Sequence, residues 1–79
     1  MNEMKFLHVT NKGMAFDPQS GDSYQLNEAA VMILELLQDK IEQDEIVSKI
    51  STYFMISPEE ALTDVLEFKI QLKVLGLIS

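Results

Sequence analysis

Seventy-nine residues make about one minimal domain, and a chain of this size buries only roughly 60% of the surface its unfolded form exposes, so it can build a single core. Thirteen acidic side chains against six lysines, with no arginine, give a formal net charge of −7, which repels a phosphate backbone and makes DNA or RNA an unexpected partner. No apolar run approaches the ~20 residues of a membrane-spanning helix, and without cysteine there is no disulfide framework, thiolate zinc site or thiol nucleophile.

The opening stretch MNEMKFLHV lacks the charged, apolar and small-residue pattern of a secretory signal, so nothing in it points to export. The absence of cysteine is compatible with a reducing cytoplasm. Three short β-type segments come next: Lys5–Val9, Met14–Asp17 and Ser23–Leu26. They are separated by the turn chemistry of Thr10-Asn11-Lys12-Gly13 and Pro18-Gln19-Ser20-Gly21-Asp22, which predicts a three-stranded meander. Met14 and Phe16 are expected on one face of the second strand, Tyr24 and Leu26 on one face of the third, with Ala15, Ser23 and Gln25 between them.

At Asn27 the period changes. Asn is a good N-cap, Glu28 suits the positive end of a helix dipole, and Ala30, Ile33, Leu34 and Leu37 follow at helical spacing to about Gln38. After the polar break at Gln38-Asp39-Lys40, a second helix beginning near Glu42 is marked by Ile46, Ile50, Tyr53 and Phe54. Ser57-Pro58-Glu59-Glu60 combines a cap, a first-turn proline and a capping-box glutamate, and so starts a third helix that ends at Gly76. The element order predicts one α+β domain over residues 1–79, a three-stranded antiparallel sheet followed by three helices in a helix-turn-helix spacing.

The third helix carries more apolar surface than one core contact needs. Ala61, Val65, Phe68, Leu72 and Leu75 form a complete core stripe. Leu62, Leu66, Ile70 and Val74 form a second, with Lys69 and Lys73 beside it and Thr63, Asp64, Glu67 and Gln71 on the remaining arc. Either the first two helices cover both stripes, or the second stripe is a groove for a peptide with apolar anchors and acidic residues, the lysine stems adding apolar contact. The edge of the third strand is likewise open to three readings: blunted by its shortness, paired with a second copy, or available for an added strand. Monomer and homodimer both stay open.

No constellation suggests catalysis or a bound cofactor. His8 is the single histidine and has no metal-binding neighbours in sequence. The pairs Asp44-Glu45 and Glu59-Glu60 are explained by helix starts. The stretch Asp17–Asp22 lacks the ligand spacing and closing glutamate of a calcium loop, and there is neither a glycine-rich phosphate loop nor a serine elbow.

Tyr24-Gln-Leu-Asn-Glu-Ala-Ala30 with Ile33-Leu-Glu35, Glu45-Ile46, Asp64-Val65 with Phe68 and Leu72, and Gly76-Leu77-Ile78 together resemble the PqqD family, in order and spacing over roughly residues 5–78. Two departures are Gln38-Asp39, where the family often has an aspartate-glycine turn, and Glu42, where it then has a threonine cap. The resemblance implies a winged helix-turn-helix-like, non-enzymatic domain that binds the leader segment of a ribosomally made precursor peptide. It also implies that the domain presents this segment to a modifying enzyme, often a radical-SAM enzyme. The peptide would add as a strand beside the third strand, in the cleft against the third helix. That maps binding to Ser23, Tyr24, Gln25 and Leu26 and to Leu62, Leu66, Lys69, Ile70 and Lys73. The competing functions are a docking adaptor that uses the same helix without a precursor peptide, and a winged-helix DNA-binding regulator, which the charge disfavours.

Overall fold

The computed structural model describes residues 6–78, so Lys5, the predicted start of the first strand, lies outside them. The strands are β1 (His8–Val9), β2 (Met14–Phe16) and β3 (Ser23–Gln25), and the helices α1 (Glu28–Gln38), α2 (Gln43–Phe54) and α3 (Pro58–Val74). The sheet runs in the order β1-β2-β3, antiparallel throughout, with His8 opposite Phe16 and Ala15 opposite Tyr24. This is the α+β arrangement the sequence predicts.

Each turn is held by its own side chains. Thr10 Oγ1 accepts from the Lys12 and Met14 amides, and Asp17 Oδ1 accepts from Gln19 N–H at 2.9 Å. Gly13 has φ +82°, and a Cβ there would come within 2.8 Å of the Leu26 carbonyl oxygen, so only glycine lets the first turn lie this close to the end of β3.

The sheet buries a different face of β2 from the one its larger side chains suggest. Ala15 is 0% exposed and Phe16 39%; Ala15 and Tyr24 face the helices, while Met14 and Phe16 stand on the outer face. A small side chain is what fits where the sheet approaches the helical layer most closely.

All three helix starts fall where expected. Asn27 Oδ1 accepts from Ala30 N–H (2.8 Å) and Ser57 Oγ from Glu60 N–H (3.1 Å), whereas Glu42 caps α2 without a side-chain bond. The three ends share one device, in which an amide two or three residues beyond the helix reaches back over the last turn: Ile41 to Leu36 (3.0 Å), Ile56 to Ser51 (3.1 Å) and Leu77 to Leu72 (2.9 Å). The residue before each donor is left-handed, and only Gly76 among them is a glycine; Lys40 has φ 61° and Met55 φ 54°. Lys40 and Met55 thus take a conformation that glycine adopts without steric cost.

The core joins Leu7 and Ala15 of the sheet layer to Ile33 and Leu34 of α1, Ile46 and Ile50 of α2, and Ala61, Val65, Phe68 and Leu72 of α3, with Leu77 folded back beneath. Two residues expected inside are not: Leu75 is 50% exposed and Tyr53 62%. Helix α3 lies against both α1 and α2, and its remaining flank faces the sheet across a groove.

Candidate functional site

The far side of β3 is an open edge among the described residues. Leu26 N–H donates to the Gly13 carbonyl (2.8 Å) and Asp17 N–H to the Asp22 carbonyl (2.9 Å), with Ala15 opposite Tyr24 between them. Antiparallel ladders alternate bonded and non-bonded pairs. Tyr24 therefore turns its main-chain groups toward β2, and Ser23 and Gln25 turn theirs to the open side. Their side chains are exposed, while Tyr24 and Leu26 are half-buried and point toward α3.

Beside this edge lies a groove in two parts. Its apolar part is a dimple of about 30 Å³ lined by Tyr24 and Leu26, by Phe68, Gln71 and Leu72 of α3 with Leu75 just beyond it, and by the core residues Leu7, Ala15, Leu34 and Leu77. Its polar part, about 180 Å³, continues between the start of α1 and the first half of α3, where Asn27 and Ala30 face Asp64 and Glu67. Phe68 and Gln71 line both parts, so the two adjoin. A wider depression of about 600 Å³ opens between the Thr10–Gly13 turn and α1 and involves no residue of α3.

The four strand residues expected at the site, Ser23, Tyr24, Gln25 and Leu26, are thus at the edge or in the groove. The five from α3 are elsewhere. None of Leu62, Leu66, Lys69, Ile70 and Lys73 lines the groove. At 3.6 residues per turn they lie about 130–170° round the helix from the mean direction of the positions that do. Lys69 Nζ donates to Gln43 Oε1 of α2 at 2.7 Å. Leu62, Leu66, Ile70 and Val74 are 38, 42, 61 and 81% exposed, so α1 and α2 leave the second stripe uncovered. The helix residues that do line it fall partly in the arc the sequence presents as polar, Asp64 and Glu67 beside α1 and Gln71 beside both α1 and β3, together with Phe68, Leu72 and Leu75 of the core stripe.

His8 is an exposed residue of β1, and the Asp17–Asp22 stretch closes as a turn through Gly21 N–H to the Asp17 carbonyl (2.8 Å). Among the described residues no group of three or more histidines, cysteines and carboxylates could hold a metal ion, and no helix is long and apolar enough to cross a membrane.

The family described as Coenzyme PQQ synthesis protein D (PqqD) matches residues 13–78. The chain belongs to the PqqD family. The match begins at the first-turn glycine and covers β2, β3 and all three helices. Among solved structures, "Lasso peptide synthetase B1 complexed with the leader peptide" superimposes with a TM-score of 0.82 over 99% of this chain and 96% of that one, at 21% identity, and so shares the PqqD fold seen here. A search among curated proteins finds no match.

Proposed function

We propose that this chain binds the leader segment of a ribosomally made precursor peptide as an added strand on β3, and presents it to a modifying enzyme without itself catalysing a reaction. The observation that carries this is the open edge of Ser23 and Gln25 running beside an apolar groove: main-chain hydrogen bonds supply generic affinity, and alternate peptide side chains meet α3. Membership of the PqqD family and the fold shared with a synthetase component captured with a leader peptide support the same reading. The enzyme served would be a radical-SAM enzyme or another peptide-modifying enzyme of the reducing cytoplasm, and the gain it obtains is a raised local substrate concentration.

Titration of the purified chain with synthetic leader peptides tests this. Leu75→Gln removes an apolar wall of the groove and is expected to weaken binding about 5- to 30-fold, as loss of one partly buried leucine contact implies. A leader that binds wild type and Leu75→Gln equally would place the site elsewhere.

The exposed stripe of Leu62, Leu66, Ile70 and Val74 favours a second reading, a docking adaptor that needs no precursor peptide. Under it no leader peptide binds at β3, and Leu66→Glu abolishes binding to a partner protein. A salt-sensitive gel shift with duplex DNA would instead revive the regulator, against the net charge of −7.

A further inference from the structure

We infer that the peptide taken by this groove carries a cationic side chain, Lys or Arg, two residues along the strand from its apolar anchor, held by Asp64 and Glu67. This rests on the strand-addition reading and specifies the ligand chemistry that reading requires.

The charges of the groove all have one sign. Of the residues that line its two parts, the charged ones are Asp64 and Glu67. The lysines of the described residues are spent elsewhere. Lys49 pairs with Glu45 on α2 at 3.8 Å, Lys69 bonds Gln43, Lys12 lies at the first turn against the wider depression, and Lys40 sits in the α1–α2 turn. Lys73 is exposed and lines neither part of the groove. Neither groove carboxylate is ion-paired among the described residues. Asp64 is half-buried beside Phe68, where the lower effective dielectric strengthens its attraction for an incoming cation.

The opposing contribution is the positive end of the α1 dipole, which points into the same part of the groove. It is already answered: Asn27 Oδ1 accepts from Ala30 N–H, and Glu28 sits in the first turn. Half a positive charge at a helix end does not offset two carboxylates.

The spacing follows from helix and strand geometry. The α3 residues of the apolar part centre about one turn after those of the acidic part. One turn of helix advances about 5–6 Å and two strand residues about 6.6 Å, and residues two apart share a strand face. An apolar side chain over the Tyr24–Leu75 dimple therefore places the side chain two positions on, toward the Asn27 end, against Asp64 and Glu67. The lysines of the outer stripe, which suggest an acidic peptide in sequence, face away from it.

A phage-displayed library of random decapeptides panned on the full chain tests the inference, followed by synthetic peptides from the enriched set with Lys, Gln or Glu at the variable position. Enriched peptides should pair an aliphatic or aromatic residue with Lys or Arg two positions away. The Lys peptide should bind wild type at least about fivefold more tightly than the Gln peptide, with Glu weaker still. In Asp64→Asn/Glu67→Gln, shown folded by circular dichroism, that preference should fall to about one while the apolar anchor is still selected; Glu67→Gln alone, at an exposed position, should halve it or more. Enriched peptides with the apolar anchor but a neutral or acidic partner position overturn the inference and leave the peptide-binding reading standing. Failure to enrich any peptide, or enrichment that persists when Gln25→Pro blocks the strand edge, overturns that reading and the inference with it.

Discussion

Ser23 and Gln25 have outward main-chain groups, and Tyr24 between them has inward ones, so neighbouring residues of one short strand respond to the same substitution in opposite ways. Gln25→Pro removes a donor that no partner on β2 uses, and proline is tolerated at edge positions of this kind. It is expected to keep the fold, as read by circular dichroism and thermal melting, while weakening leader binding about tenfold or more, since the lost bond is joined by the bulk of the ring on the edge. Tyr24→Pro instead breaks the ladder to β2 and should unfold the sheet. Gly13 acts on the same strand from its other side. Gly13→Ala places a methyl group 2.8 Å from the Leu26 carbonyl at a positive φ, and is expected to lower stability by about 2–3 kcal/mol in urea denaturation.

The helices end on three copies of one reversal, and two of them carry residues that a left-handed backbone disfavours. Lys40→Gly and Met55→Gly should each raise stability by about 0.5–1 kcal/mol, the relief of left-handed strain less the greater freedom glycine gives the unfolded chain. Both side chains are exposed, so no packing is lost, and melting temperatures a few degrees above wild type would check it. The same elements mark how far the sequence could be read. Asn27, Ser57 and Gly76 announce their roles because the side chain, or its absence, does the capping. Lys40 and Met55 announce nothing, since their conformation is imposed by Ile41 and Ile56 packing back on the core. The inner face of β2 was hidden because Ala15 is buried for its small size and Phe16 is not. On α3, periodicity finds the core stripe but treats its two flanks as equivalent; only the handed packing of the helix on α1, α2 and the sheet decides that Asp64 and Glu67 face α1, Gln71 faces β3 and Lys69 faces α2.

At the scale of the molecule, the groove and the bare stripe of α3 lie on different sides, so a peptide and a protein partner need not compete. Leu66→Glu with Ile70→Glu replaces two exposed side chains. It is expected to leave stability within about 0.5 kcal/mol of wild type by denaturant titration and leader affinity unchanged by calorimetry, while any enzyme that docks on this face loses its grip. A chain of net charge −7 also draws a cationic peptide from a distance, so raising salt from 0.05 to 0.5 M should slow association more than it speeds dissociation.

The brevity of β3 limits how long a guest can stay. With three residues in the strand and two of them facing outward, an added peptide gains at most four main-chain hydrogen bonds, each contributing about 1 kcal/mol net. That corresponds to roughly millimolar affinity on its own, and a dimple about the size of one water molecule adds a single shallow anchor. For a micromolar complex formed at about 10⁶ M⁻¹s⁻¹, residence is on the order of a second. On the strand-addition reading, a guest held this way would leave on that timescale, and its supply to an enzyme would be set by spontaneous dissociation.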